Sequence, residues 1–322
     1  MRGMKRLMCA VTVLAGACGM LFSQGGTERQ GTYPDKEVNV IVIANAGGGT
    51  DAMARAVTTP LEQKLGKPFV VVNNGTAGGL VATEDIAAAS TDGYTLGVFS
   101  NTDVANFAWG QKNSNVSVDN YTYIAALNTT SDIVVLKKGS QFKSLGEVIS
   151  YAKANPGKLT MGLPSPTQKM SLALYEKATG SDVTDVVYGG GNKVFADLLG
   201  GHVEMGILGA KFVKQAKEQG LTILGIMLDE RLDAIGDIPT FKEQGYPMSN
   251  PACRMLVGPK GISQDKVDVL VAALKTGYAT GGEMKKNIEA LGEAPLLVVG
   301  TDLAEFLKQD FAMRQDYYKD AR

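Results

Sequence analysis

The chain has 322 residues, 44% hydrophobic and 20% charged, enough for one large or two medium domains of about 100 to 200 residues each, so disorder as the main state is excluded. With 32 Lys and Arg against 33 Asp and Glu, the formal charge of -1 gives no basic footprint for nucleic acid. A single histidine, His202, makes a histidine metal cage impossible, and no metal site is expected; a Ser/His/Asp triad would have to use that one residue.

Arg2, Lys5 and Arg6 precede an apolar run from Leu7 to Ala17. That run is shorter than the ~20 residues of a membrane-spanning helix but fits the apolar core of an export signal. Ala15-Gly16-Ala17-Cys18 satisfies a small-x-small cleavage rule and also looks like a bacterial lipoprotein box, although Leu14 stands four residues before the cysteine rather than three. Both readings cut before Cys18, giving a signal over 1–17 and, in the second, lipid on Cys18; simple secretion is the alternative. Removing the signal takes three positive charges and leaves 29 basic and 33 acidic residues, a net charge of -4. Cys9 leaves with the signal, and lipidation of Cys18 would strand Cys253 without a disulfide partner. Residues 18–32, small and polar after Phe22, read as a tether.

From Val38 short β-branched runs alternate with helical stretches, which predicts an α/β architecture built on parallel strands. Val38 to Ile43 is the first strand. A helix opened by AGGGTD follows, with Met53, Val57, Leu61 and Leu65 on one stripe, Pro60 as an expected kink and Gly66 as the stop. Phe69–Val72 and Tyr94–Phe99 are the next strands, with a helix over about 80–89 between them. Asp132–Leu136 opens a second series, and Ser144 with Glu147 forms a capping box for the helix after it. Strands then follow near 158–162, 185–188, 203–208 and 221–227, a helix near 241–244, a strand at 254–257, and a mostly helical tail with a strand at 295–299. Two crossings, near 130 and 254, divide the chain into a first lobe (33–131), a second lobe (132–250) and a return to the first (251–322), with a cleft between lobes.

Small and polar residues cluster after five of these strands: Ala46 to Asp51, Gly75 to Gly79, Ser100-Asn101-Thr102, Ser165-Pro166-Thr167 and Gly189 to Asn192. In an open α/β sheet ligands bind outside the carboxyl ends of the strands. Helix N-termini there present free N–H groups and partial positive charge, and glycine admits a ligand close to the backbone, so a small anion is expected. Any one loop alone reads first as a tight βα turn, and it is the five together that point to an anion. Gly47-x-Gly49-x-x-Ala52 also matches a dinucleotide fingerprint, which would make the chain a dinucleotide-binding protein or an exported α/β enzyme. The second strand, however, ends in Asn73-Asn74 where an acidic residue should hold the ribose. No phosphate-binding G-x-x-x-x-G-K-[ST] occurs, and no cofactor is expected. His202 belongs to a helix-to-strand turn at the end away from the loops, and Asp51 is at least a first-turn cap.

The order of YPDKEVNVIV, GGGTDAMAR, LGKPFVVVNN, DGYTLGV, ANPGKLTMG, VVYGGG, ADLLGGHVEMGIL, DIPTFKEQGYP and VGPKG resembles the substrate-binding proteins of the tripartite tricarboxylate transporters, the Bug receptors, over about 290 residues. The resemblance implies a type II periplasmic-binding-protein fold, two lobes closing like a flytrap on a small carboxylate: a di- or tricarboxylate, an acidic amino acid or an aromatic acid. It implies a monomeric, non-enzymatic periplasmic receptor whose partners are a large and a small integral membrane subunit. Carried over by motif, the ligand positions are Ala46, Gly48, Gly49, Thr50 and Asp51; Thr76, Ala77 and Gly78; Ser100, Asn101 and Thr102; and Ser165, Thr167, Gly190, Gly191 and Asn192. This chain departs from the family in lacking both prolines before the first helix and in carrying Lys169 and Arg254, either of which could pair a distal carboxylate. A surface lipoprotein that has kept the fold and lost the ligand is a further alternative.

Overall fold

The computed structural model describes residues 33–111 and 114–320; the expected signal, Cys18 and the tether lie outside the described residues. The chain from Tyr33 builds β1 (Val38–Val42), α1 (Gly49–Leu65), β2 (Phe69–Asn73), α2 (Leu80–Ala88), β3 (Thr95–Ser100), α3 (Asn101–Ala105) and β4 (Tyr121–Thr129). It then crosses into β5 (Asp132–Leu136), α4 (Leu145–Ala154), β6 (Thr160–Leu163), α5 (Lys169–Thr179), β7 (Thr184–Val187), α6 (Gly191–Gly200), β8 (Met205–Gly209), α7 (Val213–Glu218) and β9 (Ile223–Ile226). The return adds β10 (Arg254–Pro259), α8 (Gln264–Tyr278), α9 (Glu283–Ala290), β11 (Ala294–Val299) and α10 (Gly300–Asp320).

Two sheets result, ordered β11-β4-β10-β3-β1-β2 and β7-β6-β8-β5-β9. Each is covered on both faces, which is why its strands are apolar on both sides. In the first lobe one core packs Val38, Val40 and Val42 against Met53, Val57 and Leu61 of α1 and against α8 and α9. The opposite core holds Ile86 of α2, Phe99 and Leu303 and Leu307 of α10. The second lobe repeats this with α4 and α5 on one face and α6 and α7 on the other. The α1 stripe is therefore core, and burying a side chain such as Leu61 contributes about 1.5–3 kcal/mol. Gly66 ends α1 in the left-handed conformation, φ 71°, donating its N–H to Glu62 O.

The sheets are mixed rather than parallel throughout. β2, β1 and β3 run parallel, as do β7, β6 and β8, but β10 is antiparallel to β3 and β4, and β5 is antiparallel to β8 and β9. The crossings explain this. A chain entering a lobe from the hinge starts at the end where the other strands finish, so its first strand must run the opposite way. The helix expected near 241–244 is a single turn: Thr240 and Glu243 cap each other through Thr240 N to Glu243 Oε2 and Glu243 N to Thr240 Oγ1, and Gly245 and Pro247 follow at once.

At the hinge the two crossing segments pair: Thr130 and Ala252 exchange two backbone hydrogen bonds of 2.8 Å. The Ser131 hydroxyl, buried beside them, lies 2.7 Å from Met227 O and 2.9 Å from Asn250 O. α10 binds the same place from the first lobe through a buried Asp310–Arg314 pair, whose Arg314 Nη2 donates to Pro251 O at 2.8 Å. Asn101 completes the joint. It is fully buried, donates Nδ2 to Pro251 O and Asp310 Oδ2, and accepts the Cys253 N–H on Oδ1.

Candidate functional site

The cleft between the lobes has a volume of about 540 Å³, within the range of small-molecule sites. From the second lobe, Thr167 after β6, the Gly189 to Lys193 turn after β7, and Lys211 with Phe212 after β8 form its walls; from the first lobe come Thr102, Arg254, Glu293 and Tyr318. Its floor is the hinge, with Ser131, Asp132, Asn250 and Arg314.

The α6 end is shaped for backbone donation. Gly190 sits at φ 138°, ψ 157°, which only glycine adopts readily, and it accepts the N–H groups of Lys193 and Val194 on its carbonyl. Among the described residues the amides of Gly191 and Asn192 then have no acceptor, and they open the helix at its positive end. A β-carbon on Gly191 would lie 2.7 Å from Phe212 Cε2. Thr167 belongs to a small hydroxyl cluster: its N–H donates to Ser165 Oγ, and the two hydroxyls are 2.7 Å apart. Across the cleft Thr102 is held 2.7 Å from Ser100 Oγ, itself the cap of α3 in a reciprocal box with Asp103.

Arg254, the first residue of β10, is mostly buried. Its Nη1 pairs with Glu293 Oε1 at 3.1 Å, its N–H donates to Asn128 Oδ1 at 2.7 Å, and Asn128 Nδ2 returns to Glu293 Oε2 at 3.1 Å. The guanidinium also lies against Gly49.

Thus Thr102, Thr167, Gly190, Gly191, Asn192 and Arg254 come together, with Ser100 and Ser165 directly behind the two threonines. The first two loops are placed otherwise. Ala46, Gly48, Thr50, Thr76, Ala77 and Gly78 do not line the cleft, and Gly49 touches it only through Arg254. These two loops pack on each other instead: a β-carbon on Gly75 would meet Asn45 Oδ1 at 2.5 Å, and one on Gly79 would meet Ile43 O at 2.4 Å. Asp51 points into its own loop, accepting from Gly47 N, Arg55 Nε and Asn73 Nδ2. Burial pushes its carboxyl up, but those three donors outweigh burial and hold it below the usual range. Asn101 is absorbed by the hinge, and Lys169 pairs with Asp185 at 3.3 Å on the surface, outside the cleft.

The floor and the Glu293 pair escaped the sequence reading. Asp310 and Arg314 do carry a signal, an acid and a base at i, i+4 on the buried stripe of an otherwise exposed helix. Asp132 carries another: a carboxylate directly heading the apolar run Ile133 to Leu136, at a crossing. Cys253 is buried and its thiol is pushed up to about 12 by burial, and His202 is exposed before β8, at the end away from Gly209. No group of three or more metal-ligating side chains occurs among the described residues.

A family model described as the tripartite tricarboxylate transporter family receptor matches residues 53–315. The chain belongs to this receptor family. A UPF0065 protein from the gbd 5′ region of Cupriavidus necator is 31% identical over 249 residues, covering 76% of this chain and 75% of its own. A solved periplasmic transporter superposes with a TM-score of 0.73 at 28% identity, over 90% of this chain and 98% of its own. MatC of Rhodopseudomonas palustris, solved with malate, shares the fold with a TM-score of 0.70 at 24% identity, over 89% of this chain and all of its own. The chain is thus a solute-binding receptor with a periplasmic-binding-protein fold. No helix among the described residues is long and apolar enough to cross a membrane.

Proposed function

We propose that the cleft captures a small organic acid and that lobe closure around it is what the membrane subunits of a tripartite transporter read. The carrying observation is that the open Gly191 and Asn192 amides of one lobe and the Arg254 guanidinium of the other border the same cleft. Backbone donors at a helix start suit a carboxylate, and a guanidinium can take a second one. The malate of the related receptor is an acid of this kind. A ligand touching both lobes binds the closed form better than the open form, and only that difference shifts the equilibrium between them. The hinge is suited to such motion because the chain passes between the sheets in two short segments, bridged at Thr130 and Ala252 and held by Arg314 of α10 at Pro251.

Binding alone is the activity we infer, with no bond made or broken. The receptor works in the periplasm, held to a membrane by lipid on Cys18, and acts as a monomer. The test is thermal denaturation of the mature protein with mono-, di- and tricarboxylates and amino acids. A ligand at about 100 times its Kd should add about 2.7 kcal/mol. If no acid raises the melting temperature, this reading is wrong.

A further inference from the structure

The hinge floor of the cleft is short of hydrogen-bond donors. Asp132 heads β5 there and, among the described residues, its carboxylate accepts one hydrogen bond, on Oδ2 from Ser171 Oγ. Ser171 is fully buried and has no more to offer: its proton goes to Asp132, so its oxygen must accept from Asn250 Nδ2, at 2.7 Å. That fixes the Asn250 amide, and Asn250, 6% exposed, is left with Oδ1 buried and unpartnered. Ser131 Oγ is directed at the Met227 and Asn250 carbonyls. The nearby guanidinium of Arg314 is engaged by Asp310, Pro251 O and Met170 Sδ, and no ion pair joins it to Asp132.

A carboxylate at the floor of a cleft whose walls attract anions should repel the ligand unless the ligand brings a positive group to it. Asn250 Oδ1, a buried acceptor that no group among the described residues satisfies, points the same way. We propose that Asp132, with Asn250 behind it, receives an ammonium group, so that the ligand class this chain selects is an amino acid rather than a plain carboxylic acid. The assignment rests on the carboxylate reading of the cleft and adds the other half of the ligand: carboxylate toward Gly191 and Asn192, ammonium toward Asp132. A hydroxyl can donate one hydrogen bond to the carboxylate, but it brings no charge to offset it.

Matched probes test this by calorimetry on the mature wild-type protein: succinate, malate and aspartate; glutarate, 2-hydroxyglutarate and glutamate; propionate, lactate and alanine. In the series that binds most tightly, the amino member is expected to have a Kd at least about tenfold below the unsubstituted member, and below the hydroxy member. Asp132→Asn is expected to shrink the ratio of the two Kd values at least about fivefold. The wild-type series stands on its own if the variant folds poorly. If the unsubstituted or hydroxy acid binds as well as the amino acid, or if Asp132→Asn leaves the ratio within twofold, the ammonium assignment falls and the carboxylate reading survives. If none of the nine acids binds, the carboxylate reading falls and takes the assignment with it.

Discussion

The guanidinium of Arg254 lies across Gly49: a β-carbon at residue 49 would stand 3.0 Å from Nη2. The first glycine loop thus reaches the cleft through a side chain that Glu293 holds from the other side, while Asn128 bonds Glu293 and the Arg254 backbone N–H. Gly49→Ala should push the guanidinium by a few tenths of an ångström, which a flexible side chain tolerates. Stability should change by less than about 1 kcal/mol while acid affinity falls by up to about tenfold, or 1.4 kcal/mol. Arg254→Met is harsher because it leaves Glu293 buried without its cation, and about 3 kcal/mol of stability should be lost. Urea titration of both variants, with calorimetry of the first, checks the pair.

Asn101 joins the first lobe, the returning strand and α10 with one side chain. Asn101→Leu would leave the buried Cys253 N–H without an acceptor and would remove one donor from Asp310, which keeps Arg314. The orphaned N–H costs about 1–3 kcal/mol, and a loss in that range is expected in urea unfolding. A change under 1 kcal/mol would mean that the joint relaxes around the loss.

Gly191 can carry no side chain while Phe212 keeps its place, and that ring is stacked on Phe195 with centroids 5.7 Å apart. Gly191→Ala should therefore displace the start of α6. We expect about 1–3 kcal/mol of destabilisation from overpacking, together with a loss of acid binding larger than that of Gly49→Ala. Thermal denaturation with and without acid separates the two effects.

Asp132 makes stability depend on pH with the opposite sign to Asp51. Burial pushes the Asp132 carboxyl up to about 6, against the Ser171 hydrogen bond and the charge of Arg314. Between the ordinary value of 3.8 and about 6 the folded state therefore holds the extra proton. The contribution is fully present below about pH 4 and is lost as pH rises through 6. Asp132→Asn stays neutral throughout, so it should be more stable than wild type at pH 7.5, by at most about 3 kcal/mol, and should lose about two-thirds of that advantage by pH 4.5. Melting temperatures of both proteins across this range give the answer.

Cys18→Ser should leave export intact but move the protein from the membrane fraction to the soluble periplasmic fraction. Fractionation of cells producing each form tests this; equal distribution would favour simple secretion.

Strands and βα loops were legible because β-branched runs and glycine punctuation are local signals; β1, β2, β5 and β11 fall within a residue or so of their expected bounds. β4 was not assigned, since its Ile124-Ala125-Ala126-Leu127 stretch reads equally well as helix. The opposite run of β5 and β10 depends on where the chain enters each lobe, which no local pattern records. The same limit applies to the site. Thr167 and Gly190 to Asn192 stood out as loop residues after strands, whereas the Arg254–Glu293 pair and the Asp132 floor exist only once the return segment and α10 close on the hinge. Thr76, Ala77 and Gly78 of the second loop read as ligand positions, and the glycines flanking them, Gly75 and Gly79, pack closely against the first loop.

The most direct measurement is the structure of the mature protein crystallised with the acid that raises its melting temperature most. The account requires that acid to lie between the lobes, one carboxylate on the Gly191 and Asn192 amides and contacts to both sheets. An acid seated on one lobe alone, or outside the cleft, would contradict it.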